Sequence, residues 1–65
     1  MHGTVTEFDQ HRGIGAVTTD TGLQLRFHCT TIADGTRTIP VGAEVNIAIV
    51  NGPRGDYEAA DLRPA

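Results

Sequence analysis

His28 and Cys29 are residues whose types could hold a metal ion or form a nucleophile with its base. They are adjacent, however, in a run that alternates Leu25 and Phe27 with Arg26 and His28, and adjacent residues on a strand point to opposite faces. No second Cys/His pair supplies the usual four zinc ligands, and no third group is apparent to orient a catalytic dyad. Gly13-Ile14-Gly15 is too short for a dinucleotide fingerprint, which needs a third glycine and a following helix. Close backbone packing at the start of a strand accounts for it. The reading is of a protein that is not an enzyme and has no metal, cofactor or small-molecule substrate. What remains is the chemistry of the cations Arg12, Arg26, Arg37, Arg54 and Arg63, all arginine with no lysine. A guanidinium stacks on nucleobases and donates to phosphate in a fork, which lysine does less well.

The elements that must position these side chains are strands. Val, Ile and Thr make up 19 of the 65 residues, and branching at Cβ costs rotamer freedom in a helix but packs well on a pleated surface. A chain of 65 residues is one domain, 1–65, because a single core of this size supplies only about 3 to 5 kcal/mol of stability. Its formal net charge of −3 leaves no bulk positive field to hold polyanions, so a nucleic-acid contact must be a local patch. The single cysteine makes no internal disulfide, and the first residues lack the basic-then-apolar pattern of a secretory signal. A cytoplasmic location is expected. The longest apolar run, Ile47-Ala48-Ile49-Val50, is far short of the roughly 20 residues of a membrane-spanning helix.

The predicted strands are Gly3–Asp9, Ile14–Thr19, Leu23–Cys29, a fourth around Val45–Val50, and a weaker fifth, Tyr57–Leu62. Turns fall at Asp9–Gly13, Asp20-Thr21-Gly22 and Asn51–Gly55. In the third strand Leu25 and Phe27 go inward and Arg26 and His28 outward. In the fourth, Val45, Ile47 and Ile49 share one face. Residues 30–42 show no sustained period and form a long connection anchored by Ile32 and Ile39. Five short antiparallel strands with one long connection suggest an all-β small barrel, whose closure removes exposed edges.

Gly3-Thr4-Val5, Phe8-Asp9, Arg12 to Val17, Phe27 to Ile32 and Asp34-Gly35 fall in the order of a bacterial cold-shock protein, and the chain resembles that family over nearly its whole length. Arg12 to Val17 resembles the first ribonucleoprotein motif, K-G-F-G-F-[IV], and Leu25 to Cys29 the second, V-F-V-H-F. Gly52 to Gly55 and Ala59 to Leu62 look like the family's G-x-x-G turn and last strand. The resemblance implies a five-stranded barrel of the oligonucleotide-binding (OB) fold that binds single strands by stacking bases on aromatic rings. Here Ile14 and Ala16 stand for the rings of the first motif, Arg26 and Cys29 for those of the second, Glu7 for a tryptophan and Thr36 for a loop aromatic. Only Phe8 and His28 keep their stacking identity.

The expected nucleic-acid site is Thr6, Phe8, Arg12, Ile14, Arg26 and His28, bordered by Arg37 and Arg54, with arginine partly replacing rings. Phe8 is expected on the surface, mostly because the resemblance implies it and partly by parity, since Val5 and Phe8 differ by three; a bulge near Glu7 would weaken that argument. Arg12, Ile14 and Ala16 are expected on one face of the second strand. Glu7 and Asp9 would oppose a phosphate backbone. Tyr57 is either a further aromatic on this face or a cap on the barrel end. The expected partner is single-stranded RNA or DNA, bound weakly and with little sequence preference, in an RNA chaperone or a modulator of transcription or translation under stress. The alternative is an interaction module for a protein partner or a homodimer, using the more aliphatic patch of Ile14, Ala16 and Cys29.

Overall fold

The computed structural model describes residues 1–33, 35, 37–52 and 55–65. Asp34, Thr36, Pro53 and Arg54, the last a candidate site residue, lie outside the described residues. Five strands follow one another: β1 (His2–Asp9), β2 (Ile14–Thr19), β3 (Gln24–His28), β4 (Glu44–Asn51) and β5 (Tyr57–Pro64), with a single 3-10 turn, Cys29–Thr31, after β3. They form an all-β closed barrel in the order β1-β2-β3-β5-β4, of small OB-like type.

β1, β2 and β3 form an antiparallel meander, and β4 pairs antiparallel with both β1 and β5. The remaining seam departs from the all-antiparallel expectation. β3 meets β5 in parallel at Arg26 and Glu58, and an isolated parallel bridge joins Ile32 to Leu62. The 3-10 turn makes this possible. The Thr31 hydroxyl donates to the His28 carbonyl at 2.7 Å and the Ile32 amide to the Cys29 carbonyl at 3.2 Å, which turns the chain inward and sinks Ile32 into the core. The third strand therefore ends at His28, one residue earlier than expected.

Two turns show how local chemistry sets register. The Asp9 carboxylate accepts the His11 and Arg12 amides at 3.0 and 3.2 Å, and the Gly13 amide closes back on the Asp9 carbonyl at 2.8 Å, an Asx-type turn. In the β2–β3 turn the buried Thr19 hydroxyl accepts the Leu23 amide at 3.1 Å and shares a hydrogen bond with Thr21.

The core is Val5, Val17, Leu25, Phe27, Ile32, Val45, Ile47, Ala59 and Leu62, with Phe8, Cys29, Ile39 and Ala43 packed against it. Ile32 and Ile39 thus anchor the long connection as expected. Ile49 shares the face of Val45 and Ile47 as expected, yet it is 36% exposed. Its partner Ala59 is buried, so the two share the inward face, but β1 accompanies β4 only as far as Asn46, with the Ile47 amide donating to the Met1 carbonyl. Beyond that point β4 has β5 on one side and, among the described residues, no strand on the side that β1 covered.

Gly15 carries the tightest constraint. It lies between Phe8 and Phe27 in the ladders, and a β-carbon there would sit 2.5 Å from Phe27 Cζ and 2.6 Å from the Glu7 carbonyl oxygen. Over-packing of this kind costs about 1 to 3 kcal/mol. Gly15→Ala is expected to lower the thermal midpoint by at least about 5 °C, measured by circular dichroism, given roughly 4 to 8 °C per kcal/mol at this size.

His2 ties three strand ends together, with Nδ1 at 2.8 Å from Asp20 and Nε2 at 3.3 Å from Glu44. The Asp20 hydrogen bond is the main cause that raises its pKa above the ordinary 6.5; desolvation opposes it, and the charges of Asp20 and Glu44 add to the rise. A raised pKa means that folding favours the charged ring, so this contribution is present below pH 6.5 and fades as pH climbs through the folded-state value. The thermal midpoint is expected to fall over that rise in pH, and to fall less steeply in His2→Gln, in the same melting assay.

Candidate nucleic-acid interface

The outward face of β1, β2 and β3 is organised in rows set by the ladders. One row is Asp9, Ile14 and His28; the next is Glu7, Ala16, Arg26 and, across the parallel seam, Glu58; a third runs through Thr18 and Gln24. Over these rows lies an open concavity of about 1200 Å³, bordered by Arg12 in the β1–β2 turn and by Asp56 and Tyr57 at the start of β5. Enclosing small-molecule clefts hold roughly 300 to 1,000 Å³, so this broad, open surface suits an extended ligand better than a compact one.

Of the site residues expected from sequence, Phe8, Arg12, Ile14, Arg26 and His28 line the concavity together. Thr6 and Arg37 do not line it. Thr6 sits at a break in register between Val5 and Glu7, where its hydroxyl donates to the Ala16 carbonyl at 3.3 Å. Arg37 is exposed in the long connection with a left-handed φ of 58°.

The same break corrects the expectation for Phe8. β1 carries one extra residue at the bulge, so Val5 pairs with Val17 but Glu7 pairs with Ala16 and Phe8 with Gly15. Parity reverses across a bulge. Phe8 therefore lies on the inward side, half-buried, with its ring stacked on Phe27 at 6.0 Å between centroids and 8° between planes. It closes the barrel end and reaches the concavity only at its margin. Arg12 is likewise corrected: β2 begins at Ile14, so Arg12 borders the concavity from the turn and not from the strand face.

Tyr57 lines the concavity and is 66% exposed, which makes it an aromatic available to a ligand. Gln24, Asp56 and Glu58 also line it and were not expected. Glu58 arrives through the parallel β3–β5 seam, for which local alternation holds no signal. Cys29 does not line it; its thiol lies over Gly13, where a β-carbon would be 2.7 Å from Sγ. The aliphatic patch expected for a protein partner therefore loses one of its three members.

The electrostatics differ from a plain basic patch. The lining carries four carboxylates, Glu7, Asp9, Asp56 and Glu58, and two guanidiniums, Arg12 and Arg26. Arg12 is 3.9 Å from Asp9, an exposed pair of small energetic weight. Arg26 has no ion-pair partner among the described residues, although Glu58 is its neighbour across the seam. Among the described residues no group of three or more His, Cys, Asp or Glu could hold a metal ion, and no helix is long and apolar enough to cross a membrane.

The chain matches none of the models of known protein families, and comparison with curated proteins finds no significant match.

These placements separate two roles by experiment. Phe8→Ala is expected to cost up to about 3 kcal/mol of stability, toward the low end for a phenylalanine because the ring is only half-buried. Arg26→Ala, at an exposed and unpaired position, should change stability by less than about 0.5 kcal/mol. Urea unfolding of the two variants checks both.

Proposed function

We propose that the protein is a cytoplasmic single-stranded nucleic-acid-binding module of cold-shock type, weak and with little overall sequence preference. The observation that carries this reading is the open concavity over the outward faces of β2 and β3, between the β1–β2 and β4–β5 connections of a closed five-stranded barrel. Barrels of OB type bind oligonucleotides on the strand 2–3 face and the loops at its ends. The lining supports it with a guanidinium at Arg26 that has no ion-pair partner among the described residues, an exposed ring at Tyr57, an imidazole at His28 and the half-buried apolar side chain of Ile14. Unpaired bases can lie on such a surface whereas stacked duplex cannot. Membership of the cold-shock family, and a use in remodelling RNA or tuning transcription and translation under stress, belong to the same proposal.

The four carboxylates of the lining favour a second reading, an interaction module whose partner presents cationic side chains. Salt and strand chemistry distinguish the two. Fluorescence anisotropy with a labelled mixed-sequence single-stranded RNA, and its DNA equivalent, is expected to give saturable binding that weakens with salt by a log–log slope of about 0.7 per phosphate contacted. Arg26→Ala should weaken that binding about 5- to 10-fold, the lower part of the range for one lost stack. Absence of binding to both strands at high micromolar protein would overturn the nucleic-acid reading in favour of the interaction module.

A further inference from the structure

The central row of the concavity has an unusual chemical composition for a polyanion site. Glu7, Ala16 and Arg26 stand side by side on β1, β2 and β3. Neither Glu7 nor Arg26 forms an ion pair among the described residues. Across two strand spacings their Cα atoms are about 9.5 Å apart, and between them is only the half-buried methyl of Ala16. An acceptor pair and a donor fork thus flank a shallow apolar floor, each without a partner of its own.

A ligand that uses both must present two adjacent N–H donors on one edge and acceptors on another. Among the four bases, guanine alone does so: N1–H and N2–H lie parallel toward a carboxylate, while O6 and N7 accept from a guanidinium. Cytosine and adenine offer one amino group, and uracil or thymine one ring N–H. We infer that the Glu7–Ala16–Arg26 row is a guanine-selective position, with the base lying over Ala16, the Glu7 carboxylate accepting from N1–H and N2–H, and Arg26 donating to O6 and N7. This rests on the nucleic-acid reading above. It gives the carboxylate a role as a base reader, on a face where it would otherwise only repel phosphate.

Glu58, the fourth member of the row, is not equivalent. Its carboxylate lies over Gly52, where a β-carbon would be 2.6 Å from Oε2, so it leans along the β4–β5 connection and away from Ala16. The comparison of Glu7 with Glu58 therefore separates a specific contact from a general effect of charge.

The test compares labelled single-stranded RNAs of one length: uridines only, cytidines only, uridines with isolated guanosines, and the last with inosine in place of guanosine. Isolating the guanosines keeps the strands from self-associating. The guanosine strand is expected to bind at least about fivefold more tightly than the uridine or cytidine strand. Inosine, which lacks only the N2 amino group, should lose most of that preference. Glu7→Gln should bring the guanosine-to-uridine ratio close to one, and Glu58→Gln should leave it in place. Equal binding of all strands, tighter binding of uridine or cytidine, or a ratio unmoved by inosine and by Glu7→Gln would overturn guanine selectivity while leaving single-strand binding intact. Failure of every strand to bind would overturn the nucleic-acid reading itself, and this inference with it.

Discussion

The contact of Phe27 with the bare Cα of Gly15, continued by the stack of Phe8 on Phe27, is the interaction on which the rest of the structure depends. A fully buried ring at this point fills the barrel where β1, β2 and β3 run side by side, and it requires that the middle strand have no side chain there. Interiors are packed closely enough that one added carbon is felt. Once Phe27 and Gly15 face inward, alternation along β2 and β3 sends Ile14, Ala16, Arg26 and His28 outward. The candidate site is in this sense the reverse side of the core contact.

The bulge at Thr6 is the second constraint, and it decides the chemistry of that face. Without it, Phe8 would stand outward beside Ile14 and Glu7 would point into the barrel, where an unpaired carboxylate is costly. The extra residue turns the large ring inward, to pack on Phe27, and puts the carboxylate outward beside Ala16. One hydrogen-bond register therefore trades an aromatic platform for an acceptor. The surface that results mixes donors, acceptors and a modest apolar floor, and its aromatic contribution comes from Tyr57, on a different strand. Under the proposed nucleic-acid reading, such a surface would gain less from stacking and more from hydrogen bonds to base edges.

Much of the barrel was legible in the residues. β2 spans Ile14–Thr19 as read from the run between its two turns, and the inward set Leu25 and Phe27 and the outward set Arg26 and His28 follow from a period of two. The anchoring of the long connection by Ile32 and Ile39 was also legible, because isolated apolar residues in a polar stretch have few other places to go. The common face of Val45, Ile47 and Ile49 was legible too, but not the exposure of Ile49. Alternation reports which face a side chain is on, whereas exposure depends on whether another strand continues beside it.

The sequence by itself determined the strands, their turns and the identity of most inward residues, since these depend on the period of side chains along an extended chain and on Asx and glycine chemistry within a few residues. Only the tertiary structure decided the inward turn of Phe8, the outward turn of Glu7, the parallel seam that brings Glu58 beside Arg26, and the gathering of Tyr57 onto the same face. The reason is physical. A bulge and a barrel closure are settled by hydrogen bonds between residues far apart in the chain, and a shift of one residue there reverses every side chain beyond it while leaving the local pattern unchanged.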